Sequence, residues 1–126
     1  MSTFVVVHGA WGGAWSWNRF VVPMLRKAGH DVYAATLTGL GERTHLATPD
    51  VSVETHVQDV ANVLFYEDLY DVVLAGHSYG GNVISGVADR MPERLAQVVR
   101  ARQATEAEGE HLALPTEWTF GQPDII

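Results

Sequence analysis

The chain has no cysteine, few basic residues and no long apolar run, and each absence excludes a class of protein. Without cysteine, its 126 residues can form no disulfide, no thiolate zinc site and no cysteine nucleophile. Eight Lys and Arg against fifteen Asp and Glu give a net charge of −7, which lacks the basic footprint of a nucleic-acid or anionic-membrane binder. No apolar run approaches the roughly 20 residues of a membrane span. We therefore expect no nucleic-acid and no membrane partner. Because no leader-like segment precedes the first apolar run, we also expect a cytoplasmic protein.

Apolar periodicity alternates between short strands and helices, in a chain long enough for one compact domain at most. Runs of β-branched and apolar residues predict strands at Thr3–Val7, Asp31–Ala35, Asp71–Ala75 and Leu95–Val99. Apolar residues three and four apart predict helices over Trp17–Ala28, from Ser52 as N-cap to before Asp71, and over Gly80–Met91. Thr36–Pro49 is expected to be a polar loop. This order predicts an α/β fold with a parallel sheet and right-handed crossovers.

The pattern Gly-x-Ser-x-Gly stands at Gly76–Gly80, between a predicted buried strand and a predicted helix. A serine on so tight a turn is forced towards a strained backbone, and the flanking glycines remove Cβ atoms that would clash with the helix. Ser78 is therefore the candidate nucleophile, on a nucleophile elbow. The alternative is a glycine-rich turn with an exposed serine, and the strand before it and helix after it favour the elbow.

A second glycine-rich turn, His8–Gly13, follows the first predicted strand directly. Backbone N–H groups of such a turn can point at the oxyanion that develops during acyl transfer. Two donors are usual, one from the residue after the serine and one from the turn after the early strand, which are Tyr79 and Ala10 here. The alternative is a strand-to-helix turn that needs glycines only for close packing.

Together these motifs resemble α/β-hydrolases, in the branch of small esterases related to plant methyl-ester esterases and hydroxynitrile lyases. The resemblance is carried, in order within residues 3–99, by Val7–Trp11, Gly13–Trp17, Ala28–Val32, Thr36–Arg43 and Gly76–Gly81. It implies a sheet with helices on both faces, a small-molecule ester substrate, Ser78 as nucleophile and the Ala10 and Tyr79 N–H groups as oxyanion hole. It implies no cofactor, and no histidine pair has the spacing of a metal motif. Hydroxynitrile lyases of this branch typically have threonine where this chain has Gly9, and glutamate where it has His77. The resemblance therefore favours an esterase over a lyase.

The resemblance also implies an incomplete chain. Such enzymes take the triad acid and histidine from later strands of a core nearly twice as long. Residues 1–99 then correspond to the N-terminal half of the core, and residues 100–126 to a tail resembling part of a lid. We expect a truncated or internally deleted hydrolase whose triad Asp and His are not in this chain. Only His111 follows Ser78, with Glu106, Glu108 and Glu110 as possible orienting acids, and a solvated histidine is its commoner role.

Several alternatives stay open at the level of sequence. A non-catalytic remnant that binds small esters or a partner chain competes with the esterase, and a hydroxynitrile lyase is a lesser alternative. Trp11, Trp15 and Trp17 either wall an acyl pocket or cover the sheet. The loop Thr38–Arg43 lies at the sheet edge where open α/β sheets bind ligands. The sequence predicts no oligomeric state.

Overall fold

The computed structural model describes residues 1–101, which form a parallel sheet with helices on both faces. The strands are β1 (Thr3–Val7), β2 (Asp31–Ala35), β3 (Val72–His77) and β4 (Leu95–Ala101). The α-helices are α1 (Ala14–Asn18), α2 (Val21–Lys27), α3 (Val53–Tyr66) and α4 (Tyr79–Arg90), and short 3₁₀ turns span Gly41–Leu46 and Pro92–Arg94. Residues 102–126, which contain His111 and nearly all of the predicted lid-like tail, lie outside the described part.

The four strands are parallel in the order β2-β1-β3-β4, so β1 and β3 occupy the centre. Val7 at the end of β1 pairs with Ala35 on one side and Gly76 on the other. The strands therefore end at one common edge, where the turns that follow β1, β2 and β3 meet. This is the edge at which open α/β sheets bind their ligands.

Alternate side chains of the central strands fill two separate cores. Val5, Val7 and Leu74 pack against α3 and α4, whereas Phe4, Val6 and Ala75 pack against α1 and α2. Most of these side chains are nearly inaccessible to solvent, which explains why the strands are continuous apolar runs. The predicted α/β fold with helices on both faces is confirmed.

The predicted helix over Trp17–Ala28 is wrong in its bounds. The structure has two helices in this region, α1 and α2, and Arg19 and Phe20 separate them. Proline has no N–H to donate within a helix, but the first turn leaves its N–H groups unpaired in any case. The restart at Val21 places Pro23 in that first turn. The predicted loop over 36–49 likewise contains the 3₁₀ turn at Gly41–Leu46.

The other predicted bounds hold to within two residues, except that α3 ends at Tyr66, earlier than the predicted limit before Asp71. Ser52 caps α3, and its hydroxyl and backbone exchange hydrogen bonds with Thr55 in a capping box. β3 and β4 each run two residues beyond their predicted ends, and α4 begins at Tyr79. Among residues 1–101 no helix is both long and apolar enough to span a bilayer. The cytoplasmic location stays a prediction.

Candidate active site

The turns after β1 and β3 touch at the common edge of the sheet. A Cβ placed on Gly9, in the turn after β1, would lie 3.4 Å from the Cβ of Ser78 and 3.3 Å from Nδ1 of His77. Both elements of the sequence prediction, Ser78 and the glycine-rich turn containing Ala10, are therefore adjacent. Parallel pairing of Val7 with Gly76 brings them together.

Ser78 has the strained backbone that the motif predicts. Its φ of 53° and ψ of −119° lie in a region that costs a non-glycine residue about 1–3 kcal/mol. Two hydrogen bonds hold this conformation: the Ser78 N–H donates to the Ala101 carbonyl at 3.0 Å, and the Ser78 carbonyl accepts the Gly81 N–H at 2.8 Å. The residue is exposed and stands at the edge where the three turns meet.

The two glycines of the motif are required by close packing. A Cβ on Gly76 would lie 2.5 Å from the Gly80 carbonyl oxygen, and a Cβ on Gly80 would lie 2.5 Å from that of Val7. Real Cβ atoms do not approach backbone oxygens so closely. Helix α4 can therefore begin directly after Ser78 only because both positions lack a side chain.

Hydrogen bonds from the His8 side chain anchor the turn after β1. This side chain is buried, its Nδ1 donates to the Gly9 carbonyl at 2.6 Å, and its Nε2 accepts the Leu37 N–H at 3.0 Å. Because Nε2 accepts, the ring is neutral, and burial lowers the pKa of His8. A further bond from the Gly12 N–H to the Gly9 carbonyl, at 3.1 Å, closes the turn around Ala10.

Thr36, at the start of the loop after β2, braces the other end of the same turn. Its hydroxyl accepts the Ala14 N–H at 2.8 Å and donates to the Glu42 carboxylate at 2.6 Å. This bond from Thr36 lowers the pKa of Glu42. Arg43 donates to the Thr36 carbonyl at 3.1 Å. Glu42 and Arg43 belong to the loop expected at the ligand-binding edge, and in this structure both bind Thr36, the residue that follows β2.

Tyr79, the first residue of α4, is half-buried and makes a contact that no sequence pattern predicts. Its hydroxyl lies 2.7 Å from Nδ1 of His56, on α3, and Nε2 of His56 lies 2.8 Å from the Thr38 carbonyl oxygen. Burial raises the pKa of Tyr79. One signal was present in the sequence. His56 stands four residues before Val60, which is on the apolar face of the predicted helix, so His56 falls on the same face.

No histidine within residues 1–101 hydrogen bonds the Ser78 hydroxyl. His8 and His56 use both ring nitrogens elsewhere, and Nδ1 of His30 accepts the Ser2 N–H at 3.0 Å. Burial lowers the pKa of His77, beside the serine. In the same range no cluster of three or more His, Asp or Glu side chains could hold a metal ion.

The three tryptophans of the N-terminal region have different surroundings. Trp17 is buried in the core between the sheet and α1 and α2, whereas Trp11 is 96% exposed and Trp15 is 42% exposed. The Arg19 guanidinium lies 5.0 Å from the centre of the Trp15 ring. Trp17 therefore covers the sheet, and Trp11 is the tryptophan that stands nearest to Ala10 in the chain.

A family model described as the alpha/beta hydrolase family matches residues 4–121. The chain belongs to this family. It is 46% identical over 123 residues to a carbendazim-hydrolysing esterase from Nocardioides, covering 93% of this chain and 50% of the relative. It is 34% identical over 98 residues to methylesterase 1 of Arabidopsis thaliana, covering 76% of this chain and 37% of that protein.

A solved structure agrees with these relatives. An extracellular α/β-hydrolase from a Paenibacillus species superimposes with a TM-score of 0.74 and 34% identity, over 83% of this chain and 42% of that one. The chain spans about half the length, or less, of the relatives it matches. The resemblance found in the sequence is confirmed, and the matched part corresponds to an incomplete α/β-hydrolase sheet.

Proposed function

We propose that this hydrolase cleaves small carboxylic esters with Ser78 as nucleophile. The observation that carries the proposal is the strained backbone conformation of Ser78. This residue lies between a buried strand and a helix, at the ligand-binding edge of the sheet. Strain of this kind persists only where the surroundings impose it, and it is typical of functional sites. The esterase and methylesterase names of the relatives support the substrate class.

In the proposed reaction the Ser78 Oγ attacks the ester carbonyl carbon, and the carbonyl oxygen becomes an oxyanion. The backbone N–H groups of Ala10 and Tyr79 donate to that oxyanion, where one such donor is worth about 3–4 kcal/mol. Collapse of the tetrahedral intermediate breaks the bond to the alkoxy oxygen, which takes up the proton removed from Ser78 and leaves as the alcohol, and the acyl group stays on Ser78. Water then attacks the acyl group, releases the acid and restores the serine.

Proton transfer in this scheme needs a general base that residues 1–101 do not place on Ser78. We assign the triad histidine and acid to the later part of an α/β-hydrolase core, beyond the described residues. Burial keeps the neighbouring His77 neutral at physiological pH, since its pKa is lowered, so this ring adds no positive charge beside Ser78.

A second candidate function, the binding of small esters without turnover, is favoured by the absence of a general base at Ser78 among residues 1–101. Without a base, the Ser78 hydroxyl stays protonated and is a weak nucleophile. The two candidates share the edge between the turns after β1 and β3, and they differ in whether Ser78 forms a covalent bond.

Reaction with a fluorophosphonate tests the proposal, because this probe phosphonylates activated serines. We expect the full 126-residue chain to be labelled slowly on Ser78 and the Ser78→Ala variant not to be labelled. The Ser16→Ala variant is the matched control: Ser16 is also exposed and near the turn after β1. Labelling that survives Ser78→Ala would overturn the assignment.

A further inference from the structure

One polar network links the loop after β2 to the residue that follows the proposed nucleophile. Asp59 and His56 lie three residues apart on α3 and therefore share a face. The Asp59 carboxylate accepts the Thr38 N–H at 2.7 Å and the Thr38 hydroxyl at 2.8 Å. This double contact fixes Thr38, whose carbonyl in turn lies 2.8 Å from Nε2 of His56.

The partners of His56 determine its tautomer. A carbonyl oxygen only accepts hydrogen bonds, so Nε2 of His56 carries the hydrogen that points at Thr38. In the neutral ring, Nδ1 is then an acceptor, and it receives the hydroxyl hydrogen of Tyr79 at 2.7 Å. The two rings also meet edge to face, with centroids 5.6 Å apart and planes at 81°. His56 is buried, with 6% of its surface exposed.

We propose that His56 is a positioning residue for the oxyanion donor, acting through the Tyr79 hydroxyl. Residue 79 is both the end of this network and the residue whose backbone N–H is assigned to the oxyanion hole. A side chain held at its far end limits rotation of its own backbone, so the N–H keeps one direction. This inference rests on the proposed function.

The ring geometry supplies a pair of variants that separate the two contacts of His56. In His56→Asn the amide oxygen can take the place of Nδ1 and accept the Tyr79 hydroxyl, but nothing reaches Thr38. In His56→Gln the longer amide can reach the Thr38 carbonyl, but the acceptor for Tyr79 is gone. A role in positioning Tyr79 predicts that asparagine preserves function better than glutamine.

The experiment measures phosphonylation of Ser78 by a fluorophosphonate in the full chain, as the maximal rate and as the probe concentration at half-saturation. For Tyr79→Phe and His56→Gln we expect the maximal rate to fall about tenfold with half-saturation unchanged, since one mis-aimed donor is weakened rather than lost. The double variant should be no slower than either single one. His56→Asn should keep most of the wild-type rate.

Tyr33→Phe is the control, because it removes a hydroxyl from another tyrosine packed against the same core; it should label at the wild-type rate. If the wild type is labelled and Tyr79→Phe is labelled at the same maximal rate, the inference about His56 is wrong while the proposed function stands. The inference would also be wrong if His56→Asn and His56→Gln lose the same share of the maximal labelling rate and that loss parallels the fall in their melting temperatures. A wild-type chain that is never labelled would overturn the proposed function itself.

Discussion

A Cβ built on Gly80 would stand 2.5 Å from the Val7 carbonyl oxygen, so the first turn of α4 rests directly on the end of β1. The two elements are distant in sequence and belong to the two halves of the proposed site. Their contact brings the turn after β1 against Ser78. A side chain at position 80 would separate them, and the proposed nucleophile would move away from Ala10.

The Gly80→Ala variant should therefore lose stability. Its methyl group meets the backbone oxygens of Val7 and His8, at 2.5 and 2.8 Å, and backbone cannot rotate away as a side chain can. We expect the free energy of unfolding to fall by about 1–3 kcal/mol, measured by urea denaturation. Gly81→Ala is the control: its nearest neighbour is the Arg100 side chain at 3.8 Å. Helix propensity should make that variant neutral or slightly more stable. Equal effects of the two substitutions would contradict the packing argument.

Thr36→Val tests the brace between the loop after β2 and the turn after β1. Valine keeps the shape of threonine but neither accepts the Ala14 N–H nor donates to Glu42. We expect a loss of about 1–3 kcal/mol in unfolding free energy, because the Ala14 N–H loses its partner. Thr44→Val, at an exposed position in the 3₁₀ turn, should have little effect. A Thr36→Val protein as stable as the wild type would show that the brace contributes nothing.

Stability should fall as the solution is made mildly acidic. Burial lowers the pKa values of His8 and His77 below their ordinary value of 6.5, so the folded protein binds these two protons less readily than the unfolded chain. The stability from the two neutral rings is complete above pH 6.5 and is lost as the pH falls through their folded-state pKa values. Glu42, whose pKa is lowered from 4.5, contributes only to losses at more acidic pH.

Urea denaturation at about pH 7.5 and about pH 5.5 checks this dependence, with at most about 1.4 kcal/mol per pH unit for each proton. His77→Asn should lose less stability between these two pH values than the wild type. An unchanged unfolding free energy in the wild type would mean that neither histidine is held neutral by burial.

Local sequence patterns predicted the strained backbone turn at Ser78. A serine between two glycines, after an apolar strand, predicts the elbow because each residue acts on its immediate neighbours. The structure has Ser78 at that turn, with the positive φ expected of it. The parallel sheet was predicted without its strand order, and the observed pairing of Val7 with Gly76 brings the turn with Ala10 beside Ser78.

Contacts between distant side chains escaped prediction. His56 precedes the serine in the chain and no sequence pattern gave it a role, yet α3 brings it to the Tyr79 hydroxyl. Nothing local to Thr38 indicates that Asp59 binds it, since the contact depends on how α3 packs against β2. The break between α1 and α2 was not located, because the apolar spacing from Trp17 continues through it; Pro23, which indicates a kink or a late helix start, lies three residues after the break.

The central claim is that Ser78 attacks ester carbonyls. If no residue of this chain serves as the base, deacylation should be the slower half of the reaction, because p-nitrophenyl acetate is an activated ester whereas the acetyl-serine that it forms is an ordinary alkyl ester. We then expect turnover of p-nitrophenyl acetate barely above that of Ser78→Ala, together with an acyl-enzyme that accumulates. Robust turnover abolished by both Ser78→Ala and His111→Ala would instead make His111 the base.

Mass spectrometry of the full chain after incubation with p-nitrophenyl acetate is the most direct test. Peptide mapping should find one acetyl group on Ser78 and none on Ser2, Ser16, Ser52 or Ser85, and Ser78→Ala should remain unmodified. Acetylation on another serine, or equal acetylation in Ser78→Ala, would contradict the assignment of Ser78 as the nucleophile.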